Sequence, residues 1–130
     1  MKNALRNASR WLRQAEYDLV QADRLLQEGA FSYAAFFAEQ SAQKSLKAFL
    51  LSRGTRVVTI HSVAELARQA SEMERAFESL VDQGKRLDRH YLTSRYPDAL
   101  PEPAIPAEVY VRQDGEEAVA IAREIGRAHV

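Results

Sequence analysis

Apolar residues recur along this chain at helical spacing and almost nowhere else. Leu5, Ala8, Leu12, Ala15, Leu19, Ala22 and Leu26 alternate steps of three and four, so a helix places them in one stripe. Gly29 follows that stripe and predicts its stop, because glycine accepts the left-handed backbone that closes a helix. A second helix is predicted from about Phe31 to Arg53, ending at Gly54. The gap between the two is short, so they should fold back as an antiparallel hairpin.

The second helix carries a seam of small residues: Ala34, Ala38, Ser41, Ser45, Ala48 and Ser52. Phe31, Leu46, Phe49 and Leu50 lie beside it and supply bulk. Small side chains let another backbone come close, so this helix is expected to touch neighbours on two sides. Residues 55–60 are rich in β-branched side chains and are predicted to loop across the end of the bundle. Ser62 with Glu65 forms a capping-box pattern that starts a short helix to about Ala70. Ser71 with Glu74 repeats the pattern and predicts a longer helix with the stripe Met73, Phe77, Leu80, Gly84, Leu87 and Tyr91. Glycine inside a stripe costs about 1 kcal/mol against alanine. Gly84 should therefore mark a close helix crossing or a bend, and packing is the preferred cause.

Pro101, Pro103 and Pro106 exclude regular structure until about Glu108. A final helix is predicted from Asp114, as N-cap with Glu117, and buries Ala118, Ile121, Ala122 and Ile125. No repeat, linker or low-complexity tract divides residues 1–130. The expected fold is all-α: a single antiparallel up-and-down helical bundle of four main helices plus one short helix.

Composition narrows the chemistry. Hydrophobic residues make up 46% and charged residues 28%, a balance that suits one packed core over 130 residues. Eighteen Lys and Arg offset eighteen Asp and Glu, so polyanion binding must come from a local patch. The absence of cysteine excludes disulfides, thiolate metal sites and cysteine nucleophiles. Three histidines without carboxylates at ligand spacing give no metal site, and no cofactor is expected. The start, MKNALRNASRW, lacks the apolar run of a signal peptide. No stretch approaches the roughly 20 apolar residues that span a bilayer. The expectation is a soluble cytoplasmic protein without membrane contact.

The chemistry-bearing side chains gather in residues 87–101, LDRHYLTSRYPDALP. Lys85, Arg86, Arg89, His90 and Arg95 give a positive patch with Tyr91 and Tyr96 interleaved. Such a mixture can hold phosphate by charge and stack a base on a phenol ring. An ordinary structural role is compatible with it: Tyr91 in the core, Arg95 bridging to Asp98 or a helix end, and Pro97 stopping the helix. Glu39 lies in the apolar run AAFFAEQSAQKSL. It is either a partly exposed member of a polar strip with Gln40, Gln43, Lys44 and Lys47, or part of a polar groove with Lys44. Phe36 and Phe37 are adjacent and cannot both face one stripe, so one should sit at the rim, under the proline-rich loop or in a dimer contact. His61 precedes the Ser62 cap and is expected to serve loop hydrogen bonding, while His129 is next to last and expected to fray.

The segments AEYDLVQADRLLQEGAFSYAAFFAEQSAQKSLKAFLLSRG, HSVAEL and LDRHYLTSRYPDALP together resemble the HEPN family (higher eukaryotes and prokaryotes nucleotide-binding domain) over about residues 9–101. The AEQxAxKxLKA pattern of the second helix and the YxxxRYPD turn carry the resemblance. It implies an up-and-down bundle that commonly dimerises. Many members stand beside a minimal nucleotidyltransferase, or are fused to one, as its substrate-binding partner. Others are metal-independent ribonucleases acting as toxins of toxin–antitoxin pairs. Those use an arginine and a histidine separated by four to six residues, the arginine holding phosphate and the histidine assisting attack by the ribose hydroxyl.

This chain departs from that pattern. Arg86 and His90 have three residues between them, Arg56 and His61 enclose four in the early loop, and Arg123 and His129 enclose five at the last residues. No catalytic residue is assigned. The resemblance implies a nucleotide-binding partner subunit whose surface uses Glu39, Lys44, Arg86, His90, Tyr91, Arg95, Tyr96 and Asp98. Lys44 and Arg95 would meet phosphate, and Tyr91 or Tyr96 would stack on a base. The expected partners are a second copy of the chain, a minimal nucleotidyltransferase, and a nucleotide or RNA ligand. A ribonuclease toxin and a purely structural dimer module are the alternatives.

Overall fold

The computed structural model describes residues 2–56 and 59–128, and all regular structure among them is helical. Helices α1 (Lys2–Gln27) and α2 (Phe31–Ser52) form the predicted hairpin. Both end in the same way. Gly29 has φ +85, its N–H reaches the Leu26 carbonyl at 3.2 Å, and the Ala30 N–H reaches that of Leu25 at 2.9 Å. Gly54 repeats the arrangement with Leu51 and Leu50 as acceptors. These paired bonds satisfy carbonyls that a helix end leaves without partners.

Helix α2 is the centre of the bundle. It packs against α1 on one side and α7 (Arg112–Ala128) on another, with α3 (Val63–Ser71) also against it. Ala34, Ala38, Ser41, Ser45 and Ala48 are all buried, and the Ser41 hydroxyl donates to the Ala15 carbonyl at 2.8 Å. The small-residue seam is thus used within the chain, which lets two long helices approach α2 closely. Leu46, Leu50, Val63, Leu66, Phe77, Leu87 and Ile125 fill the core. Phe49 meets Phe77 at a ring-centroid distance of 4.5 Å. Leu5 and Met73, at the outer ends of their predicted stripes, are exposed.

The middle of the chain differs from expectation. The third main helix is in pieces: a 3-10 turn at Arg75–Leu80, α4 (Val81–Asp88) and α5 (His90–Thr93). Ser71 ends α3, where its hydroxyl donates to the Arg68 carbonyl, so it does not cap a new helix. Glu74, in extended backbone, precedes the 3-10 turn without a side-chain cap. The proline-rich segment forms one helical turn, α6 (Pro106–Val109), because proline at the first position gives up only an N–H that would lack a partner anyway. Asp114 sits inside α7, accepting the Val111 N–H at 2.8 Å from the third helical position.

Gly84 marks a close crossing. A β-carbon there would lie 2.8 Å from both the Cα and the N of Ala64, so α4 rests directly on the backbone of α3.

Candidate functional site

One face of α2 turns toward α5 and the segment after it. Ser32, Phe36, Gln40, Gln43 and Lys47 follow one another along that face, with Glu39 at its edge. Glu39 is fully buried, not partly exposed. Its carboxylate accepts from Gln40 Nε2 at 2.8 Å and from Gln43 Nε2 at 2.9 Å. Lys47 Nζ donates to Gln43 Oε1 at 3.0 Å, and His61 Nδ1 lies 3.4 Å from the same oxygen. Burial pushes the Glu39 pKa up to about 7 against the pull of both glutamine bonds, with Asp88 adding to the rise and Arg95 opposing it. Burial also pushes Lys47 down, against the charge of Glu39.

Arg95 lies over this face. Its Nε and Nη2 donate to the Tyr91 carbonyl at 3.1 and 2.7 Å, and Nη1 reaches the Tyr96 hydroxyl at 3.5 Å. The guanidinium carbon lies 4.3 Å from the Phe36 ring centre, 4.8 Å from that of Tyr96 and 5.1 Å from that of Tyr91. Tyr91 in turn stacks on His61 at 5.4 Å and 18°. Guanidinium carries five N–H donors. The bonds found among the described residues leave donors on both terminal nitrogens for a ligand. Phe36 is therefore the phenylalanine at the rim, and Phe37 packs on the core.

Asp88 holds the far end of the site. Its carboxylate accepts the N–H groups of Val63 at 2.6 Å and Ala64 at 3.2 Å and the Ser62 hydroxyl at 2.8 Å. The Ser62 oxygen accepts the Glu65 N–H at 3.1 Å, so half of the predicted capping box forms, while Asp88 takes two other N–H groups of the helix start, those of Val63 and Ala64. Asp88→Ala is expected to cost about 1–2 kcal/mol in denaturant unfolding. The same change should make Glu39 release its proton at lower pH, which carboxylate infrared bands would register.

The other sequence-predicted residues lie apart from this group. Lys44 pairs with Asp18 at 2.6 Å and lines a separate cavity of about 360 Å³ with Trp11 and Gln14. Arg86 reaches Glu117 at 3.9 Å. His90 Nδ1 is 2.6 Å from the Tyr110 hydroxyl, which also lies 2.9 Å from Thr93 Oγ1. Burial pushes His90 down and Tyr110 up. Asp98 is exposed in the 3-10 turn Pro97–Ala99, and no Arg95–Asp98 ion pair forms among the described residues. The structure thus joins Glu39, Tyr91, Arg95 and Tyr96, and separates them from Lys44, Arg86, His90 and Asp98. The sequence reading missed Asp88 and Tyr110, placed Gln43 only in a polar strip beside Glu39, and gave His61 only a loop role. Asp88 had a legible signal: a carboxylate on the last residue of a helix is misplaced for the helix dipole and needs a partner elsewhere.

Of the Arg–His pairs, Arg86 and His90 are both engaged, Arg56–His61 spans residues outside the described set, and His129 lies outside it. Among the described residues no group of three or more His, Asp or Glu could hold a metal ion, and no helix is long and apolar enough to cross a membrane.

The HEPN domain model matches residues 8–130. The chain belongs to the HEPN domain family. The match takes in α7, beyond the segments that carried the sequence resemblance. Solved HEPN-fold structures agree. A protein from Thermus thermophilus is 37% identical with TM-score 0.83, over 94% of each chain. An archaeal HEPN homologue is 30% identical with TM-score 0.75, over 92% of each chain. A HEPN domain protein from Thermotoga maritima is 29% identical with TM-score 0.70, over 91% of this chain and 92% of that one. No curated protein matches the chain.

Proposed function

We propose that this HEPN domain is a non-catalytic cytoplasmic subunit that offers a nucleotide-binding surface to a minimal nucleotidyltransferase. The observation that carries this reading is the Arg95 guanidinium, fixed by the Tyr91 carbonyl and set among Phe36, Tyr91 and Tyr96. A cation already ordered loses little further freedom on meeting phosphate. Half-exposed Tyr96 beside it gives a base a face to stack on. Association with a second copy fits the exposed Tyr17 and Val20 on the outer face of α1. The ribonuclease alternative draws no support from Arg86 and His90, whose side chains are turned to Glu117 and Tyr110.

The test combines recovery and titration. Crosslinked pull-down from native cells should bring down a small nucleotidyltransferase, and the recovered complex is then titrated with ATP by calorimetry. Arg95→Ala is expected to weaken ATP at least about tenfold, which is 1.4 kcal/mol. Arg95→Lys should fall between, since it keeps charge but loses the forked geometry. Equal affinity for all three forms would remove Arg95 from the site.

A further inference from the structure

Arg95 also lines a cavity of about 330 Å³ built on the start of α2. Its walls are residues 29–33, Ser94, Arg95, Pro97 and residues 105–107. Helix α2 is 22 residues long, its N-cap Ala30 makes no side-chain bond, and its first turn holds no acidic residue. The Ala34 N–H bonds the Ala30 carbonyl at 2.9 Å, which leaves the N–H groups of residues 31–33 ahead of the helical ladder. Those N–H groups, with the helix dipole behind them, favour an anion.

A second observation points to a ligand independently. Ser32 is only 7% exposed and lines the cavity, yet its hydroxyl has no hydrogen-bond partner among the described residues. The oxygen is not sealed off, since among the described residues Gln83 Oε1 is the fully enclosed side-chain atom without a partner, so the Ser32 hydroxyl stays accessible and unbonded beside the helix start. The neighbouring charge is positive: Arg95 forms part of the wall, and the Arg112 guanidinium lies 5.1 Å from the Phe31 ring. Exposed Tyr33, with Ile105 and Pro106, gives an apolar side suited to the rest of a small molecule.

We propose that this cavity is a phosphate subsite, which takes the terminal phosphate of a nucleotide on the N–H groups of residues 31–33, the Ser32 hydroxyl and the Arg95 guanidinium. The proposal rests on the reading of the Arg95 face as a nucleotide surface and adds where the phosphate sits. It predicts that recognition follows the phosphate more than the base.

The experiment is an amide NMR titration of the full chain with AMP, adenosine and inorganic phosphate, on the natural protein and on Ser32→Asp. AMP and inorganic phosphate should shift the amides of residues 31–33, and adenosine should leave them in place. Ser32→Asp should keep or raise the melting temperature, because a carboxylate suits a helix start. It should weaken AMP at least about tenfold through like-charge repulsion. If AMP moves the amides of Tyr91, Arg95 and Tyr96 but not those of residues 31–33, the subsite is wrong and the nucleotide surface stands. If no ligand moves any of them, both fall. Should Ser32→Asp fail to fold, the contrast between AMP and adenosine on the natural protein decides alone.

Discussion

Gly84→Ala should lower stability by about 2–3 kcal/mol, and the melting temperature by roughly 10 °C. Ordinarily this substitution in a helix gains about 1 kcal/mol. Here the added carbon would meet backbone, with the Ala64 Cα and N at 2.8 Å and the Val63 carbonyl carbon at 3.1 Å. Backbone cannot swing aside as a side chain can, so α4 must lift from α3. Asp88 lies one helical turn beyond Gly84, and its bonds to Val63 and Ala64 would lengthen with the same movement. Denaturant unfolding of the two forms measures the effect. A midpoint equal to or above that of the natural chain would mean that α4 slides freely, and the crossing would then hold nothing in place.

Glu39→Gln should change how stability depends on pH. In the folded chain Glu39 keeps its proton up to about pH 7, whereas the ordinary value for a glutamate carboxyl is 4.5. Between those values the folded state binds a proton that the unfolded state has released, so stability falls as pH rises. The loss approaches about 3 kcal/mol and is complete above pH 7. Glutamine cannot titrate, so the substituted chain should lack this component and gain on the natural one from pH 5 to pH 8. Gln40, which is partly exposed, can turn to solvent if the new amide opposes it, and the bond from Gln43 can be kept. Urea unfolding at several pH values is the check. Parallel profiles for the two chains would show that Glu39 titrates as it does in water.

The sequence was most legible where the physics is local. The Gly29 and Gly54 stops, the buried seam of α2 and the close approach at Gly84 follow from periodicity and from what glycine permits. For Glu39 periodicity left an exposed strip and a groove with Lys44 both open, and the residue is instead buried while Lys44 pairs with Asp18. A repeat records which side of a helix is covered, but not which polar groups another segment brings to that side. Asp88 illustrates the limit, since its partners Val63 and Ala64 lie some two dozen residues earlier and no local pattern joins them. Ser71 looked like a cap because its spacing to Glu74 was right, but its hydroxyl already had the Arg68 carbonyl within reach. Arg95 was recognisable from the RYPD turn, and its main anchor, the Tyr91 carbonyl, is only one turn back. Lys44 and His90 were grouped with it by nearness in sequence or by charge. The bundle sends them to Asp18 and Tyr110 instead.

The two helix stops differ from Gly84 in what forbids a side chain. At Gly29 and Gly54 a β-carbon would find nothing within 4 Å, so the objection there is one of handedness alone. An L residue in that backbone region gives up roughly 1–2 kcal/mol, and asparagine least among them. The Gly54 boundary can therefore carry asparagine into solvent without displacing a neighbour, whereas at Gly29 the added side chain would stand at the wall of the cavity. The end of α2 is a place where the protein can be decorated, while its crossings are not.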